Sequence, residues 1–203
     1  DLSLTGQLAI TQITPDGDTN ARYTAVKMGS VVVTTNSTAG DFGLTGDLTI
    51  ESLDYNYAAT DFERLDWTTL NLDPGADLPT PVDLSIDFDG DLHYTISGSI
   101  AGNGGSGTQL LQAGPVTLSG TTEIAVSRYT VDVTTPGGIL NNATLDSLAI
   151  NASGSVDLNI TGVADLSLTG QLAITQITPD GDTNARYTAV KMGSVVVTTN
   201  STA

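Results

Sequence analysis

The sequence predicts an all-β chain, read as an elongated antiparallel β-sandwich of long strands, with a β-solenoid as the alternative. Three observations predict it. The first is a period of two. From Val82 the residues Val82, Leu84, Ile86, Phe88, Leu92, Tyr94, Ile96 and Ile100 alternate with Asp, Ser, His and Thr. One apolar and one polar face is the mark of a half-buried strand. A second run, from Leu148 to Ile174, keeps the same alternation without losing register. The second observation is glycine at every eighth position of the apolar face, at 90 and 98 and again at 154, 162 and 170. An inward glycine marks a bend, a bulge or a close approach of two backbones.

The third observation is a repeat. Residues 165–203 copy residues 1–39 without a change, an offset of 164 residues (165 − 1). The chain therefore reads as one full tandem repeat, 1–164, and the start of an identical next one, 165–203. Stacked repeats drift apart because packing tolerates many apolar swaps. Identity therefore points to recent duplication, to continual homogenisation of an array, or to a sequence assembled artificially. The β pattern crosses the 164/165 junction with no Pro, Ser-Gly or charged linker. Domains strung on a flexible tether would show one. β-structure is expected to run on from repeat to repeat, with the chain a segment of a longer polypeptide.

The elements follow in order. Thr14-Pro15-Asp16-Gly17-Asp18-Thr19-Asn20 is a turn cluster between two patterned runs, 2–13 and 21–35, and predicts a hairpin. Leu44-Thr45-Gly46-Asp47-Leu48 echoes Leu4-Thr5-Gly6-Gln7-Leu8, a sign of a smaller β unit within the period. Thr60-Asp61-Phe62-Glu63 fits a capping box, so one short helix is expected near residues 60–67. Trp67, the single tryptophan, is expected to plug the core. Residues 101–107 and 136–138 read as loops.

Composition excludes several functions. The chain carries 23 Asp+Glu against 6 Lys+Arg, a net charge of -17. Neutralising nucleic-acid phosphates needs the opposite sign, and an anionic membrane surface repels such a chain. There is no cysteine, hence no disulfide framework, thiolate metal site or cysteine nucleophile. No stretch approaches the roughly 18 apolar residues of a spanning helix, and no signal peptide is recognisable.

Candidate sites are few. His93 is the single histidine, and no G-x-S-x-G elbow accompanies it. Asp83, Asp87, Asp89 and Asp91 share one face of the 82–100 pattern. Asp16, Asp18 and Asn20 alternate in the turn. Clustered oxygen donors are what Ca2+ takes, so these seven residues are the candidate metal ligands, with solvated acids as the plain alternative. No other cofactor is expected. Asp61, Glu63 and Asp66 around Trp67 are where paired carboxylates for glycoside hydrolysis would be sought. Asn36, Asn142, Asn151, Asn159 and Asn200 are glycosylation sequons.

Identical tandem repeats of more than a hundred residues, an all-β pattern, acidic charge, Thr and Asp richness and no cysteine together resemble the extender regions of giant bacterial surface adhesins. The cadherin-type D-x-N-D-N signature is absent. The resemblance implies an extracellular or cell-surface, non-catalytic module that holds a binding tip away from the cell or builds a matrix fibre. Its partners would be neighbouring copies of the same repeat, joined by β-pairing. Two other readings compete. One is a pilus-like subunit in which 1–39 or 165–203 completes a neighbour's sheet. The other is a carbohydrate-active β domain, which needs an aromatic patch although only 5% of residues are aromatic.

Overall fold

The structure, a computed structural model, describes residues 2–18, 20–35, 46–101, 109–113, 116–119, 121–160, 164–182 and 185–200. They form ten strands in one antiparallel sheet. These are β1 (Leu2–Ile13), β2 (Tyr23–Thr35), β3 (Gly46–Ala58), β4 (Leu92–Ala101), β5 (Gln109–Ala113), β6 (Val116–Ser119), β7 (Thr121–Thr135), β8 (Gly138–Ile160), β9 (Ala164–Thr178) and β10 (Tyr187–Asn200). Eight lie side by side in the order β1-β2-β3-β4-β7-β8-β9-β10. The short β5 and β6 carry on the lines of β4 and β7, with β6 paired to the far end of β8.

All-β is what the alternation predicts, and the sheet bears it out. The sandwich and the solenoid are not what the described residues form. They make one open sheet, and its second layer is an irregular segment, residues 59–91, laid over one face. No helix among the described residues is long and apolar enough to cross a membrane.

The run from Leu148 to Ile174 is two strands. β8 and β9 pair antiparallel from Ile160↔Ala164 to Thr144↔Thr178. Alternation alone does not show that a chain has folded back on itself. The 14–20 hairpin forms as expected. Gly17 takes φ 85°, Asp18 N–H donates to the Pro15 carbonyl at 3.4 Å, and β1 and β2 pair from Ile13↔Tyr23 onward. Asn36, Gly162 and the loop 102–107 lie outside the described residues.

The expected helix at 60–67 is absent. Asp61 sits at φ 72°, left-handed backbone that breaks a helix at its first residue. The Trp67 N–H then donates to the Phe88 carbonyl at 3.0 Å, across the cover rather than back along a helical turn. The capping-box residues fit a local rule, but tertiary hydrogen bonds take the backbone. The strand expected from Val82 starts only at Leu92. Before it the chain is extended but unladdered, with a single bridge, Leu72↔Ile86. Its in-and-out alternation is nevertheless kept. Leu84, Ile86, Phe88 and Leu92 are buried, and Asp83, Asp87, Asp89 and Asp91 are exposed.

Trp67, Ile86, Phe88 and Leu92 bury against Ala25 of β2 to make the main core, ringed by Ile13, Tyr23, Leu65, Leu72 and Tyr129. Asn56 of β3 pins the cover to the sheet. Its amide donates to the Leu65 and Asp89 carbonyls, both at 2.9 Å, and its oxygen accepts from Trp67 Nε1 at 2.9 Å.

A line of bulges crosses the sheet. Register shifts fall at Gly6 in β1, between Ile50 and Ser52 in β3, between Ala152 and Val156 in β8, and between Gly193 and Val196 in β10. At Gly170 the backbone has φ 117°, and a Cβ would stand 2.3 Å from the Ser194 carbonyl oxygen. Gly98 serves close approach, since a Cβ there would meet the Thr49 oxygen at 2.1 Å. Both belong to the glycine octads of the sequence.

Candidate functional site

The candidate acidic ligands are not gathered. Asp18 Oδ1 accepts from the N–H groups of Asn20 (3.0 Å) and Ala21 (3.4 Å), closing its own turn. Asp16 and Asn20 are exposed beside it. Asp83 accepts from the backbone and hydroxyl of Ser85, at 3.2 and 2.8 Å. Those bonds hold its pKa below the usual carboxylate value. Asp89 accepts from the N–H groups of Asp91 and Leu92, at 3.1 and 3.2 Å. Asp87 stands 3.6 Å from Lys27 Nζ, which also meets Asp54 at 3.1 Å. Asp91 is exposed just before β4 and acts electrostatically on Arg64. Among the described residues no three His, Asp or Glu side chains converge on one point.

His93 lies in a polar knot beneath the cover. Arg64 donates to His93 Nε2 at 2.6 Å, to Thr130 Oγ1 at 2.8 Å and to the Gly90 carbonyl at 3.2 Å. A guanidinium only donates, so Nε2 accepts and the imidazole is neutral. Burial first, then the positive charges of Arg64 and Arg128, push the His93 pKa down to about 4. The same burial pulls Arg64 below its usual value. Thr130 Oγ1 also stands 3.0 Å from His93 Nε2 while it accepts from Arg64, so the three side chains close one hydrogen-bonded knot that fastens the cover to β4 and β7. Asp61, Glu63 and Asp66 are exposed, and Asp66 is bonded to the Thr68 N–H and hydroxyl. Trp67 is fully buried, as expected of a plug.

The two faces of the sheet differ. Opposite the cover, cross-strand pairing lines up Leu8, Met28, Leu53, Ile96, Val126, Leu148, Ile174 and Val190, one apolar residue per strand. Tyr55 and Tyr57 stack at 6.2 Å beside this row, and Arg128 lies over Tyr94 while chelating Asp146 at 2.6 and 3.1 Å. On the cover side, beyond the cover, a shallow open trough of about 570 Å3 has a floor of small residues. Ser97, Ala125, Ala149 and Ala173 stand side by side there, with Glu51, Glu123 and Lys191 among the lining.

The edges carry the most information. The twin segments fold into the same hairpin, at opposite ends of the sheet. Gln7↔Gly29 and Ile10↔Val26 recur as Gln171↔Gly193 and Ile174↔Val190, and Ser30 and Ser194 share φ 51°. Their environments are complementary. In the first copy β1 is the edge, so Leu8 (49%) and Ile10 (62%) are exposed while Val26 and Met28 are half-buried. In the second copy β10 is the edge, so Val190 (54%) and Met192 (61%) are exposed while Leu172 and Ile174 are half-buried. Ala25, buried under the cover, has its twin Ala189 exposed. Each exposed residue is thus covered in the other copy.

Sequence reasoning saw the repeat and not this complementarity, because a strand's neighbours are set by the sheet order. It also missed Asn56, whose only signal was a polar residue within a strand run. Comparison with protein families, with curated proteins and with solved structures returns no match.

Proposed function

We propose that this chain is a structural repeat module of a long extracellular fibre or adhesin stalk, without catalysis of its own. The single observation that carries the reading is the complementary exposure of the twin hairpins. Strand A of the repeat (β1 or β9) finds an outer neighbour in β8, and strand B (β2 or β10) finds one in β3. Joining repeats end to end therefore gives each of the six long strands of the period two neighbours. The period is six strands, from β1 to β9 along the sheet. An edge strand is an aggregation liability, and a continued array removes both edges inside the fibre.

The charge fits this reading. Residues 59–91 hold Asp61, Glu63, Asp66, Asp73, Asp77, Asp83, Asp87, Asp89 and Asp91, and only one basic residue, Arg64. An array would carry such an acidic ridge once per repeat, which keeps neighbouring fibres apart. The test is the mass of the native polypeptide on a fully denaturing gel of source material. A chain many times the 20.8 kDa of this sequence supports the array. A chain near that mass refutes it.

A further inference from the structure

β8 has two edges. One pairs with β7 and β6, and the other pairs with β9 from Thr144 to Ile160. From Asp165 onward β9 has the sequence of β1 from Asp1. The outer side of β1 therefore offers the same donors, acceptors and side chains that β8 already holds in β9. Among the described residues β1 pairs with β2 alone, by the edge that β9 gives to β10. Its other edge is the one β9 gives to β8. No conformational change is needed, because the two hairpins share register and bulge.

We infer that the outer edge of β8 is a binding site for the β1–β2 hairpin of a second copy of this chain, and that β9–β10 is a plug filling that site in cis. Ser147 faces Thr175, the twin of Thr11; Leu148 faces Ile174, the twin of Ile10. In the joined form Ser147 of one copy lies opposite Thr11 of the other. The contact joins unlike surfaces, so it leads to open head-to-tail chains rather than closed dimers. Only residues 161–163 separate β8 from β9. A tether that short gives the plug an effective concentration of about 1 mM or more. At micromolar concentration the chain is a monomer, and exchange appears when the plug is weakened or concentration approaches that value.

The inference rests on the array reading to the extent that the same β8-to-β1 pairing joins successive repeats. Its test is a register-specific cross-link in the full-length chain. A Ser147→Cys chain is refolded with a Thr11→Cys chain, about 100 μM each, and mildly oxidised. Against a plug of about 1 mM, on the order of a tenth of the chains link. In the control a Gln12→Cys chain, with its thiol on the opposite face, replaces the Thr11→Cys chain. Adding Ala173→Pro to the Ser147→Cys chain removes a ladder position from β9 and is expected to raise linkage several-fold. Linkage at least tenfold above the control supports the inference. Linkage equal to the control in both backgrounds overturns it. Should the proline variant lose its β circular dichroism, the pair with an intact plug decides alone. A long native polypeptide without this cross-link leaves the covalent array standing and removes the exchange; a short one with it does the reverse.

Discussion

Two side chains fasten the cover, and each makes a prediction. Asn56 satisfies one buried and two part-buried partners, and no other residue type offers two amide donors and an acceptor at that reach. Asn56→Leu is expected to leave the Trp67 indole N–H and two carbonyls without partners, at about 1–3 kcal/mol for each that stays buried. Denaturant unfolding would show a lower midpoint. The emission of Trp67, the single tryptophan, would shift to the red as water enters. A midpoint unchanged within error would refute the role given to Asn56. His93 supplies a pH dependence. Its folded pKa of about 4 lies below the ordinary 6.5, so between those values the unfolded chain binds the proton and the folded chain does not. Its contribution is fully present above pH 6.5 and is lost as pH falls toward 4. The stability difference between the chain and its His93→Gln variant is therefore expected to narrow from pH 7 to pH 4.5. A constant difference across that range would count against a neutral, buried imidazole.

Among the elements, the hairpins depend on their bulges. Gly170→Ala places a side chain at φ 117° and against the Ser194 backbone, which costs on the order of 1–3 kcal/mol. Hydrogen exchange is expected to quicken in β9 and β10 first, while Trp67 emission stays unchanged, because among the described residues the Trp67 core takes none of its members from that hairpin. Simultaneous loss of both signals would show a single cooperative unit instead. This bulge was legible in the sequence, because a glycine every eighth residue on an apolar face has a local cause. The hairpin at 14–20 was legible for the same reason, since Pro-Asp-Gly fixes the turn chemistry where it stands. The segment 60–67 was not. Its capping-box letters were satisfied, but Asp61 turns left-handed and the Trp67 N–H goes to a carbonyl 21 positions later, at Phe88. Residues 82–91 show the same division. Alternation correctly gave which side chains bury, yet a ladder needs a neighbouring strand, and none lies beside them. Asn56 was hidden because its partners are 9, 11 and 33 residues away.

At the scale of the molecule, the apolar row from Leu8 reaches Ile174, the twin of Ile10, after six strands. Each repeat is therefore displaced by two residues along the strands, about 7 Å for every 29 Å across. A longer chain of two full periods and the same 39-residue start is expected to add six strands in line without adding edges. Per residue it should bind less hydrophobic dye and unfold at higher temperature. Equal dye binding per residue would mean that the repeats fold apart.

In such a ribbon the chain crosses back and forth at right angles to its length. A pull on the two ends loads the ladder hydrogen bonds one after another at the outermost strand, as a zipper opens, instead of sharing the load among them. The ribbon would yield by paying out strands. One repeat that occupies about 29 Å while folded would release 164 residues, a contour of roughly 550 Å at 3.3–3.4 Å per residue. A tether made this way lengthens under sudden load, and rewinds when the load is removed.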